Sequence, residues 1–182
     1  AVLGYYINDE ANESFLTVIG NMYTYLKTND INHPVASLIL NEQALVRYIA
    51  LADVNAIPLY MIWKAHREPV DSYKYLYQIS SNTGALRDDV QNSRNIMIAL
   101  ECYSFNNITP GAAAPTYEEM MNLAFQALIN GARGLLFFSY SAASTYDGET
   151  QLARLDAMGG ILSGTVEPFA LGVDLADAAQ TT

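Results

Sequence analysis

Apolar residues run along this chain in two alternating rhythms. Short continuous runs occupy Val2–Ile7, Val35–Leu40, Ile57–Trp63, Ile96–Leu100 and Gly134–Phe138. None alternates apolar with polar as a strand with one wet face does, so each reads as a strand covered on both sides, the pattern of a parallel sheet wrapped by helices. Between the runs the spacing becomes helical. Phe15, Ile19, Met22 and Leu26 stand three or four apart and share one helical face, with Asn29 and Asp30 as the stop. Asn41 is placed to cap a second helix carrying Leu45, Tyr48 and Ile49. The segment Ser72–Arg94 reads as mainly helical, with a break expected at Ser80–Gly84.

The clearest helix runs from Thr116 to Gly131. Pro115 precedes it, Thr116 and Glu119 form a capping-box pattern, and Met120, Leu123, Ala127 and Leu128 make its apolar stripe. Gly131 supplies the C-terminal stop. A last helix is expected over Glu149–Leu162. Strand and helix thus alternate five times, the signature of repeated β/α units that either close into a barrel or open into a doubly wound sheet. The stretch after the first strand, "INDEAN", has no glycine where a dinucleotide-binding turn needs several. The expected fold class is therefore α/β of the (β/α)8 barrel type with about five of its eight units present. Residues 1–171 read as the C-terminal part of such a barrel and 172–182 as a linker or tail.

In a β/α barrel the chemistry gathers at the C-terminal ends of the strands. Read in order, those ends carry Asp9-Glu10, Leu40-Asn41-Glu42, Tyr60 through Trp63, Glu101-Cys102-Tyr103 and Ser139-Tyr140. Glu10 and Glu101 would face one mouth, among aromatic residues. Two carboxyl groups are what glycosidic cleavage needs, one to protonate the leaving oxygen and one to attack or stabilise the anomeric carbon.

The order and spacing of these strands resemble the second half of the barrel of clan A glycoside hydrolases, nearest to the glycosyl-hydrolase-like barrels related to β-galactosidases. On that resemblance "GYYINDE" is strand four, "NIMIALE" strand seven and "GLLFFSY" strand eight, and "MMNLAFQALINGARGLLFFSY" is similar to the stretch from helix seven into strand eight. It implies Glu10 as acid/base, Glu101 as nucleophile and Tyr60 as the tyrosine that hydrogen-bonds the nucleophile. Trp63, Tyr103 and Tyr140 would offer flat faces to a sugar, and Asp9 stands where the clan usually has a sugar-contacting asparagine. The implied function is retaining hydrolysis of a glycosidic bond. The alternative is an inactive barrel of the same kind, serving as an extracellular structural or filament subunit or as a carbohydrate-binding module.

Composition narrows the partners. A chain of 182 residues that is 51% hydrophobic can bury one sizeable core. A net charge of -10 repels phosphate backbones and anionic lipid, so nucleic acid is not expected as a partner, and carbohydrate is the ligand that the resemblance implies. No apolar run approaches the roughly 18 residues of a membrane span. The sequons at Asn12 and Asn107 are glycosylation candidates for a secreted or extracellular protein. His33 and His66 lack ligand spacing, so neither a metal nor any other cofactor is expected. Cys102 cannot form an internal bridge and reads as a small buried hydrophobe. The missing part of the barrel would come from the same longer chain or from a self-association partner, because an open half leaves strand edges and an inner face uncovered.

Overall fold

A computed structural model of the chain describes residues 4–10, 13–39, 47–67, 72–90, 94–105, 113–139, 143 and 147–161. Within them, strands β1 (Tyr5–Tyr6), β2 (Val35–Leu38), β3 (Val54–Leu59), β4 (Asn95–Glu101) and β5 (Gly134–Phe138) are all parallel and lie side by side in chain order. The helices are α1 (Leu16–Asn29), α2 (Ile62–Arg67), α3 (Ser72–Asp89), α4 (Tyr117–Ile129) and α5 (Gly148–Ile161). The sheet curls into half a barrel, so the α/β class and the parallel β/α repeat are as expected. The tail at 172–182 and the cap at Asn41 lie outside the described residues.

Register divides the side chains between two faces. Ile57 pairs with Ile98 and Leu59 with Leu100, and this outer set meets Ile79, Leu86 and Val90 of the α3 region and Leu123, Ala124 and Ala127 of α4 in the main core. Burying each such Ile or Leu contributes about 1.5–3 kcal/mol, which is why central strands need no polar alternation. The inner set is smaller in the middle: Leu38, Ala56 and Ala99 cluster together, with Met97 and Tyr60 packed against them. Gly134 leaves room for one of these, because a Cβ there would stand 2.9 Å from the Met97 Cε. Pro58 marks where the β2–β3 pairing ends: the Ile39 N–H donates to the Ala56 carbonyl at 2.9 Å, and Pro58, two residues further on, has no N–H to donate to the next rung.

The helix signals around 116–131 form as read. The Thr116 hydroxyl accepts from the Glu119 N–H at 3.1 Å and the Glu119 carboxylate accepts from the Thr116 N–H at 2.8 Å, a complete capping box. At the other end Gly131 takes φ +106°, and the N–H groups of Gly131 and Ala132 donate back to the carbonyls of Leu128 and Ala127, a Schellman stop.

Three readings change. The helix α3 runs unbroken through Ser80–Gly84. Thr83 is buried there and Ser80 accepts a 2.6 Å hydrogen bond from the Asn130 side chain, so packing on α4 overrides weak local propensity. The third apolar run splits: β3 stops at Leu59 and α2 begins at Ile62, which puts Trp63 in a helix and not at a strand end. In α1 the expected stripe straddles two faces, with Ile19 buried but Phe15 and Met22 exposed.

Candidate active site

The C-terminal ends of the strands share one end of the sheet because all five run the same way. At β1 the chain is pinned by Asn8, whose side chain donates to the Leu38 carbonyl at 2.6 Å and accepts from the Ser37 hydroxyl at 2.6 Å. Asp9 and Glu10 follow and are exposed. Glu10 sits at φ +46°, in the left-handed region that side chains with a Cβ adopt at a cost. Partial desolvation of this largely exposed group, and then the adjacent Asp9 carboxylate, raise the Glu10 pKa above the ordinary carboxylate value. The Tyr6 hydroxyl donates to Asp9 at 3.1 Å.

At β4 the second glutamate has a different setting. Glu101 is 1% exposed and its carboxylate accepts from the N–H of Ile62, the residue that opens α2. Across the β4–β5 ladder it stands opposite Phe138, whose peptide bond to Ser139 is cis. Four aromatic rings wall this end: Tyr60 lies 5.7 Å from Phe138 and 5.3 Å from Phe105, and Tyr103 lies 4.2 Å from Phe105 and 5.9 Å from Phe138, centroid to centroid.

Tyr60 lies within reach of the carboxylates that follow β1. Burial raises its phenol pKa first, and the negative charges of Glu10 and Asp9 raise it further. Asp9, Glu10, Tyr60, Glu101 and Tyr103 therefore collect at one end of the sheet. Tyr103 presents no open face there, being 4% exposed and stacked on Phe105, whereas Phe138 is 44% exposed. The side chain of Trp63, and residues Tyr140, Asn12 and Asn107, lie outside what is described.

A polar clasp ties α5 to the residue after β4. Gln151 of α5 is buried and its amide donates to the carbonyls of Cys102 and Pro115 at 3.0 and 3.1 Å. Arg154 joins it, donating to Pro115 and to the Gln151 side chain. Cys102 is buried, and burial, followed by the charges of Asp147 and Glu101, pushes its thiol up to about 12. His66 pairs with Glu119 at 2.8 Å and His33 with Asp30 at 2.7 Å. Among the described residues no group of three or more His, Cys, Asp or Glu is placed to hold a metal ion. Nor is any described helix long and apolar enough to cross a membrane.

Sequence reasoning missed Phe105, Phe138, Asn8 and Gln151. Phase along β5 was the available signal for Phe138, since it shares a parity with Leu136 on the inner face. No local signal marks Gln151, whose two main-chain partners lie 36 and 49 residues away. The chain matches no protein-family model and no curated protein.

Proposed function

We propose that this mouth is a carbohydrate site and that the chain is part of a retaining glycoside hydrolase, with Glu10 as acid/base and Glu101 as nucleophile. The observation that carries the reading is Glu101: a carboxylate at the end of an interior strand, fixed by a main-chain N–H and standing across the ladder from Phe138, one of the clustered aromatic rings. In the first step the Glu10 carboxyl gives its proton to the leaving glycosidic oxygen while a Glu101 oxygen bonds the anomeric carbon. In the second, the Glu10 carboxylate takes a proton from water, whose oxygen displaces Glu101. The raised pKa of Glu10 suits a group that must be protonated at the start. Phe138 would stack on sugar C–H groups. The remaining strands, the extracellular setting and glycans at Asn12 and Asn107 belong to the same proposal, as does the barrel of clan A type.

A second reading rests on the seal over Glu101: at 1% exposure the carboxylate is closed off, as in a retired hydrolase that binds carbohydrate or assembles. The two separate with 2-deoxy-2-fluoro glycosides, which trap a retaining enzyme as its glycosyl ester. Mass mapping should place the label on Glu101, and Glu101→Gln should lose label and turnover together. Saccharide binding with neither label nor turnover across a panel of aryl glycosides would leave the binding role in its place.

A further inference from the structure

The short helix α2 is tied near both ends to carboxylates from different elements. At its start the Ile62 N–H donates to Glu101 of β4. One turn on, His66 Nε2 meets Glu119 Oε1 of α4 at 2.8 Å. Ile62, Ala65 and His66 are spaced by three and four residues and so share one side of the helix, where Ile62 and Ala65 are buried. Six residues make less than two turns, too few to hold a helix in place by its own hydrogen bonds. Apolar contacts at Ile62 and Ala65 keep it down on the core but let it slide, because burial is non-directional. A directional contact is what fixes its position along the axis.

Glu119 is suited to be that anchor. Its other oxygen, Oε2, accepts from the Thr116 N–H at 2.8 Å, so the carboxylate is itself held by the capping box that opens α4. Burial works against its charge, but the hydrogen bonds from Thr116 and His66 outweigh burial and hold the carboxyl below its ordinary value. The His66 ring presents its N–H from Nε2, the atom that faces the carboxylate, since Nδ1 is buried and has no partner among the described residues. Through this bridge the place of His66 sets that of Ile62, about 6 Å away along the axis at 1.5 Å per residue.

We infer that His66 is a positioning residue for Glu101: by docking α2 on the Glu119 carboxylate, it aims the Ile62 N–H at the Glu101 oxygen. A slide of α2 by about 1 Å takes that N–H out of hydrogen-bonding range and frees the carboxylate to turn. The geometric part assumes no substrate. Its catalytic consequence, slower attack by a less well-oriented Glu101, rests on the carbohydrate reading.

Amide hydrogen exchange and carboxyl-carbon NMR test the geometry on the intact chain, with circular dichroism confirming that each variant keeps its fold. In His66→Leu the Ile62 amide should exchange about tenfold faster or more relative to the amide of Ile98 in β4, and the Glu101 carboxyl resonance should move. His66→Gln, whose side-chain amide can donate to Glu119 in the same way, should restore most of both. Thr116→Ala removes a cap acceptor and weakens the fold but keeps the bridge, so it should leave both readouts unchanged. On the carbohydrate reading, the rate constant for labelling of Glu101 by a 2-deoxy-2-fluoro glycoside should fall about tenfold in His66→Leu, with the half-saturating concentration unchanged. An Ile62 amide that exchanges no faster in His66→Leu, or a Glu101 resonance that stays in place, would overturn the inference whatever the chain binds. So would equal changes in Thr116→Ala, which would reduce His66 to general stability, or no restoration in His66→Gln, which would make the ring's packing the cause. Labelling at an unchanged rate beside altered NMR readouts would strike the catalytic consequence. Absence of labelling in the wild type would count against the carbohydrate reading alone and leave the two NMR readouts to decide.

Discussion

The two glutamates that end β1 and β4 are alike in sequence and opposite in setting. Glu10 follows a two-residue edge strand, is exposed, takes a left-handed backbone conformation and lies next to another carboxylate. Glu101 ends a seven-residue strand paired on both sides, is buried, and receives a main-chain hydrogen bond from a segment 39 residues away. The difference teaches that position at a strand end brings a carboxylate to the mouth, while the neighbouring loops decide its environment.

The sharpest way to break the comparison is at Glu101. Leucine there removes the acceptor and leaves the buried Ile62 N–H unpaired, whereas glutamine drops the charge but keeps a carbonyl. Glu101→Leu should therefore be less stable than Glu101→Gln by about 1–3 kcal/mol in urea titration. Equal stabilities would mean that the Ile62 contact contributes nothing. At Glu10 the backbone matters more than the side chain's partners. Glu10→Gly should exceed Glu10→Val in stability by about 1 kcal/mol, since glycine occupies positive φ freely and a β-branched residue does not. The reverse order, read from the same unfolding curves, would remove the left-handed conformation from the account.

The smallest effect is in titration. Because its folded pKa is raised, Glu10 holds more proton in the native chain than in the unfolded one between the ordinary value of 4.5 and the raised value. Its contribution to stability is thus fully present below 4.5 and is lost as pH rises through the folded value. Carboxyl-carbon NMR should show a midpoint above 4.5 that falls in Asp9→Asn. A midpoint unmoved by that substitution would leave burial as the only cause.

Much of this was legible in the chain because it is local. The cap at Thr116, the stop at Gly131 and the run Gly134–Phe138 each state their structure within a few residues. Glu10 and Glu101 could be placed at one end of the sheet because parallel order follows from the β/α alternation. What could not be read depends on distant partners. The continuity of α3 rests on Asn130 meeting Ser80, and the seal on Glu101 rests on where α2 starts. Which apolar residues of α1 face outward was hidden for a different reason. Phe15, Ile19, Met22 and Leu26 satisfy helical spacing, but so do Phe15, Val18, Met22 and Tyr25, and periodicity alone does not rank overlapping stripes.

The buried thiol has a use outside any catalytic scheme. Cys102 is the only cysteine of the chain, stands directly after Glu101, and is both closed to solvent and protonated to about pH 12. Alkylating reagents consume thiolate, so the folded protein should be close to inert towards them at neutral pH. The rate at which iodoacetamide modifies Cys102 is then a clock for transient opening of this end of the sheet, readable without any attached label or known substrate.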